Sequence, residues 1–212
     1  MNYDGKYTEE RKAVARFMRR LYRQGLTSTS GGNISLRISD DIVVITPSAT
    51  DKGRMKWKEV GLMDISGKNL TPELKPSIES EMHLSIYRKK KEIRAIVHAH
   101  PVCASAFTAM NAQIRTDLTA EARAILGDPV LVPYRLMGTV DLAAVAAEYV
   151  QKSDILLLEN HGILTTGSNL LQAFDKLEVL ENAARMTIIV EMTMTQSPLT
   201  KERIQEIDKL FR

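Results

Sequence analysis

The chain has 212 residues, with 29 basic against 26 acidic positions (net charge +3), and is 44% apolar and 26% charged. This is ordinary globular composition at a length suited to one sizeable domain, so residues 1–212 are expected to form a single domain. A lone cysteine, Cys103, excludes an internal disulfide framework and fits a reducing compartment.

No stretch approaches the roughly 20 apolar residues that a membrane helix needs, and Met1–Glu10 lacks the apolar core of a signal peptide. The expectation is a cytoplasmic protein with no membrane partner. Nucleic acid is not an expected partner either. Aromatics are few, and the basic run Arg88–Lys91 reads as the solvated, cationic end of a helix.

In chain order, Thr8 as N-cap and Glu9–Glu10 in the first turn open a helix. Val14, Phe17, Met18 and Leu21 give it an apolar stripe, and Gly25 ends it. The small polar loop Thr27–Gly32 runs into a short strand, and a second strand over 41–46 follows as a hairpin. Residues 51–72 are polar and Gly-broken, with a short helix near Lys58 and a short strand at Leu62–Ile65. Ser77 is the expected N-cap of the next helix, with Met82, Ile86 and Ile78 as its core-facing candidates. Glu79 and His83, four apart, share one side of that helix.

Ile93–His100 reads as a buried strand that Pro101 ends, and a helix follows over 101–111 in which Cys103 packs as a small apolar residue. Asp117 or Thr119 caps a short helix that Gly127 ends. Val130–Val132 is a strand, 133–138 a loop, and Thr139 caps a helix with Leu142, Val145, Ala146 and Tyr149 on its inner side. Asp154–Leu158 is a buried strand delivering Glu159-Asn160-His161-Gly162, residues 168–194 form one long helix, and a last helix runs to Phe211. Strands alternating with helices indicate a layered α/β fold.

Chemistry concentrates at strand ends. His98 and His100 are two apart, so both imidazoles project to one side of the sheet end. His161 follows another buried strand. A His-x-His pair plus a third histidine on a Gly-containing turn makes an economical metal site, of catalytic rather than structural character. Either Glu79 or Glu81 is placed to add a carboxylate. The loops at Ser30–Asn33, Ser48–Ala49 and Ser77 offer backbone N–H groups and hydroxyls suited to phosphate. Neither a Walker loop nor a dinucleotide fingerprint occurs, so nucleotide cofactors are not expected.

Six pieces occur together in order: Ser30-Gly-Gly-Asn-Ile-Ser35, Ile45-Thr-Pro-Ser48, Lys75-Pro-Ser-Ile-Glu79 with His83, Val97-His-Ala-His-Pro101, Pro133-Tyr134 with Gly138-Thr139, and Glu159-Asn-His-Gly162. In this combination, spread over about residues 10–190, the chain resembles the class II aldolase/adducin family, of which L-fuculose-phosphate aldolases are typical. The resemblance implies a three-layer α/β/α fold with a mainly antiparallel central sheet, and a homotetramer with active sites at subunit interfaces. It implies that His98, His100, His161 and Glu79 bind a divalent metal, usually zinc, and that Glu79 is also the catalytic acid/base. It places Gly32, Asn33, Ser48, Ala49, Ser77 and Ile78 at the substrate phosphate, and gives His83 a structural role.

The activity implied is cleavage of a short ketose 1-phosphate to dihydroxyacetone phosphate and an aldehyde. Alternatives on the same scaffold are a methylthioribulose-phosphate dehydratase, an epimerase or decarboxylase, and a non-enzymatic adducin-like module. Four departures mark this sequence. Ile78 and Ala49 replace a hydroxyl residue and a glycine of the fuculose enzymes. Thr119 falls near the place of a catalytic tyrosine, and no tyrosine follows Thr193. Glu79 is not one of them: it stands where the family's epimerases tend to carry aspartate, and so argues against that activity.

Overall fold

Seven strands make one sheet in the computed structural model, which describes residues 5–211. They are β1 (Asn33–Arg37), β2 (Ile42–Ile45), β3 (Gly61–Asp64), β4 (Ala95–Ala99), β5 (Val130–Val132), β6 (Ile155–Leu158) and β7 (Gly162–Gly167). The order is β3-β2-β1-β4-β7-β6-β5. Neighbours are antiparallel except β5 and β6, which are parallel and joined by a helical crossover. The sheet is therefore mixed but mainly antiparallel, as the resemblance implied. The first four residues, part of the N-terminal segment read for a signal peptide, and Arg212 lie outside the described residues.

Helices cover both faces, because the strands are apolar on both sides. On one face α1 (Thr8–Arg23), α3 (Val102–Phe107), α4 (Ala120–Leu126) and α6 (Leu170–Thr193) pack on Ile34, Val44, Val97, Leu157 and Ile163. On the other, α2 (Ser80–Lys89) and α5 (Val140–Tyr149) pack on Ile45, Ile96, Leu156 and Leu164. The last helix, α7 (Lys201–Phe211), lies against α4. Within β4 the alternation is clean: Ala95, Val97 and Ala99 face α6, while Ile96 faces α2.

Three local expectations are corrected. Strand β7 occupies 162–167, a span the sequence left unassigned between β6 and the long helix, and it lies at the centre of the sheet. Thr8 is not the cap of α1: Tyr7 is, in a left-handed conformation, and the Thr8 hydroxyl donates back to Gly5 O. Helix α2 begins at Ser80 with Glu79 as its cap, not at Ser77. Ser77 instead forms the preceding turn, its Oγ accepting from Glu79 N–H at 3.3 Å and its carbonyl from Ser80 N–H. Ile78 is consequently turned outward, 54% exposed, rather than into the core.

Candidate active site

Two antiparallel turns of chain bring the histidines together. His98 is the penultimate residue of β4, fully buried on the α2 face, and pairs in register with Asn33 on β1 and Leu164 on β7. His100 lies one residue past β4, its N–H bonded to Leu26 O. His161 sits in the tight turn between β6 and β7, where Asn160 takes φ +52° and is tied by its N–H to Thr108 O. Because β7 runs back beside β4, the end of one strand meets the start of the other. The ring of His98 is 4.8 Å from each of the other two, and one nitrogen from each ring falls within 4.8 Å of the others.

Glu79, 6% exposed, caps α2 above this triangle. Its Oε2 is 3.2 Å from His98 Nε2 and its Oε1 is 3.2 Å from His161 Nε2. Asn33 Nδ2 donates to Oε2 at 2.8 Å. The other candidate carboxylate, Glu81, is turned away and bonded to Arg88 and Ser85. Burial alone would push the Glu79 carboxyl up. The neighbouring His98 and His161 and the Asn33 hydrogen bond outweigh it, holding the carboxyl below its ordinary value. Burial, with the neighbouring His98, pushes His100 down to about 3 and His161 to about 4, so both rings are neutral near pH 7.

The donor set fits a metal ion. His98 Nδ1 donates to Ile163 O at 2.9 Å, which leaves Nε2 as a lone pair facing the triangle. That Nε2, Glu79 Oε1 and His161 Nδ1 are buried without a hydrogen bond; the 3.2 Å approaches lack hydrogen-bond direction. Buried polar atoms are rarely left so, and a shared cation would satisfy several at once.

The phosphate candidates lie on three loops. Gly32 is required twice over: its φ is +67°, and a Cβ there would stand 2.7 Å from His98 O. Pro47 and Pro76 form a β-bridge and Ser48 N–H bonds Lys75 O, so Ser48 and Ala49 (φ +51°) lie beside Ser77 and Ile78. His83 is fully buried, its Nδ1 at 2.7 Å from Ser35 Oγ, which also meets Tyr87 OH. The Thr119 hydroxyl caps α4, accepting from Ala122 N–H.

Sequence reading missed the roles of three residues that shape this site, with Asn33 read only as a phosphate residue. Asn33 serves Glu79 directly. Glu159 Oε2 accepts Tyr134 N–H at 2.7 Å, anchoring the 133–138 loop. Glu181 of α6 accepts the N–H groups of Cys103 and Ala104 at 3.1 and 2.8 Å, fixing the first turn of α3 just after His100. Its signal was available: a charge standing on the stripe of Leu177, Leu180 and Ala184 is out of place unless it has a buried partner.

Three histidines and a carboxylate at one end of such a sheet make a donor set suited to a divalent metal, the kind of ion that class II aldolases, a class of lyases, use. The comparisons with known proteins agree, and the chain belongs to the family described as Class II Aldolase and Adducin N-terminal domain, which matches residues 12–188. An L-fuculose phosphate aldolase of Methanocaldococcus jannaschii is 33% identical over 180 residues, covering 85% of this chain and 96% of that one. A 3-oxo-tetronate 4-phosphate decarboxylase of Haemophilus influenzae is 31% identical over 182 residues (84% and 86%). A 5-deoxy-D-ribulose 1-phosphate aldolase of Bacillus thuringiensis is 29% identical over 205 residues (96% and 95%). Among solved structures, an L-fuculose 1-phosphate aldolase superposes with a TM-score of 0.87 at 29% identity, covering 96% of each chain.

Proposed function

We propose that this chain, as a single class II aldolase domain, cleaves a short ketose 1-phosphate to dihydroxyacetone phosphate and an aldehyde. The observation that carries the reading is the pair of buried, unpartnered atoms His98 Nε2 and Glu79 Oε1, beside three histidine rings that each bring a nitrogen within 4.8 Å of the others. His98, His100, His161 and Glu79 would hold a divalent cation, zinc by the nitrogen-rich ligand set. A bound cation would supply Lewis acidity to the ketose carbonyl.

The protein's own groups do the rest. Glu79 carries the proton to the carbon that loses its C–C bond, because its carboxyl is buried, aimed into the site and held by Asn33. Gly32, Asn33, Ser48, Ala49, Ser77 and Ile78 bind the phosphate with backbone and hydroxyl groups. Ile78, Leu136, Met137 and Val140 are exposed apolar residues. A Cβ at Gly138 would lie 3.6 Å from Ile78, which joins them into one patch beside the phosphate loops. Such a patch supports a homotetramer with interfacial active sites, in the cytoplasm.

A second reading is decarboxylation of a phosphorylated 3-oxo acid, favoured by the Haemophilus relative. Elemental analysis, run beside a triose-phosphate release assay on several ketose 1-phosphates, tests the proposal. Metal bound to the chain together with triose release is the expected result. Metal without triose release from any ketose, but carbon dioxide from a 3-oxo acid phosphate, would replace it with the second reading.

A further inference from the structure

Lys52 is 1% exposed, an unusual place for an ammonium. Its main-chain N–H donates to Thr29 O at 2.9 Å, on the loop that carries Gly32 and Asn33. Its Nζ donates to Pro47 O at 2.6 Å and Thr50 Oγ1 at 3.4 Å, from inside the turn that carries Ser48 and Ala49. That turn is bonded in its own right to the Lys75–Ser77 segment. Lys52 therefore stands where the three loops assigned to the substrate phosphate meet.

Its partners there are neutral oxygens. Among the described residues no carboxylate lies within ion-pair distance of Nζ. Burying a cation without an anion is unfavourable, and burial pushes its pKa down to about 8, with Glu59 offsetting part of the effect. A brace for the turn alone would not need the charge, since a neutral donor could hold Pro47 O. The six residues assigned to the phosphate are all uncharged, so the loops as read hold a dianion with no cation among its contacts.

We propose that Lys52 is the buried cation of the phosphate subsite, holding the Pro47–Thr50 turn in place and supplying the positive charge that a phosphate monoester completes. The inference rests on the reading that these loops bind the substrate's phosphate. Lys52 touches the turn rather than the substrate, and is a positioning residue with an electrostatic role.

The test uses the metal-loaded full chain, with inorganic phosphate as the calorimetric probe, in wild type, Lys52→Gln and Lys52→Arg. Gln keeps a donor for Pro47 O without the charge, and Arg keeps the charge. The expected result is phosphate binding at least 10-fold weaker in Lys52→Gln and largely restored in Lys52→Arg, with metal content retained in both. In turnover the Gln loss should fall on KM more than on kcat. Wild-type affinity in a folded Lys52→Gln, or equal loss in both variants, would overturn the electrostatic role while leaving the phosphate reading intact. Should Lys52→Gln not fold, Lys52→Arg still decides, because loss of phosphate binding there despite the retained charge refutes the proposal. No phosphate binding by the wild type itself would instead overturn the phosphate reading, and this inference with it.

Discussion

The ring of His100 occupies the space that a side chain at residue 162 would fill: a Cβ on Gly162 would stand 2.5 Å from His100 Cδ2 and 2.7 Å from Ala99 O. The ring could swing away, but the backbone carbonyl cannot. Gly162→Ala should therefore displace His100 and strain the β4–β7 pairing together, costing about 1–3 kcal/mol of stability, the usual range for overpacking. Metal per chain should fall several-fold in the folded variant. Elemental analysis and thermal unfolding on one preparation check both halves, and full metal content at unchanged stability would refute the packing argument.

His98 is the most constrained of the four. Its Nδ1–H bond to Ile163 O sets the tautomer, and its fully buried ring leaves no room for water to replace it. His98→Ala should lose metal and turnover together. It should also leave the Ile163 carbonyl unpaired, a penalty of about 1–3 kcal/mol. Stoichiometric metal in a folded His98→Ala protein would remove it from the ligand set.

The two histidine motifs were legible because period two places His98 and His100 on one side of a strand end, and because Gly162 marks a turn after His161. The strand that brings them together was not. Residues 162–167 read Gly-Ile-Leu-Thr-Thr-Gly, with glycines at both ends and threonines inside. Neither suggests the centre of a sheet. Thr165 is nevertheless accommodated there because its hydroxyl donates to Ala173 O, at 2.7 Å, while Thr166 bonds Asp154. Strand β1 hid its role in another way. Asn33, Ser35 and Arg37 alternate with Ile34 and Leu36 as in a half-solvated strand, yet the polar row is buried beneath α2. There it meets Glu79, His83 and the Tyr87 carbonyl, partners remote in sequence that no local pattern reveals. The Ser77 capping expectation failed for a simpler reason. Its hydroxyl satisfies Glu79 N–H in a turn, so the helix starts after the catalytic candidate rather than before it.

Glu79 and Asn33 should separate chemistry from binding. Glu79→Gln keeps the shape, the Oε1 position and an oxygen for coordination, but removes the proton-transfer function. Turnover should drop by about 10²–10⁴-fold, the usual contribution of a general acid/base, with metal retained. Asn33→Ala removes the 2.8 Å hydrogen bond that helps hold the carboxyl down, and should reduce kcat by a smaller factor at similar metal content while raising KM, because Asn33 is also assigned to the phosphate. Steady-state kinetics on metal-quantified enzyme decides. Turnover at the wild-type rate in Glu79→Gln would end its assignment as acid/base.

The buried Lys52 makes a signed prediction about pH. Its folded-state pKa, about 8, lies below its ordinary 10.5, because burial disfavours the ammonium. Between those values the unfolded chain binds more protons at this residue than the folded one, so stability must rise with pH across that window. Below about pH 8 Lys52 is protonated in both states, and its burial penalty is fully present. Above about pH 10.5 it is neutral in both, and the penalty is gone. Other groups titrate over the same range, so the informative quantity is the difference between wild type and Lys52→Gln in urea unfolding at pH 7.5 and pH 9.5. Wild type should gain stability relative to the variant on going to the higher pH. Adding inorganic phosphate should shrink that gain, because a bound dianion favours the ammonium and raises the folded-state pKa. A difference independent of pH would mean that the Lys52 nitrogen is solvated well enough to keep its ordinary basicity, and that the turn is held by its hydrogen bonds alone.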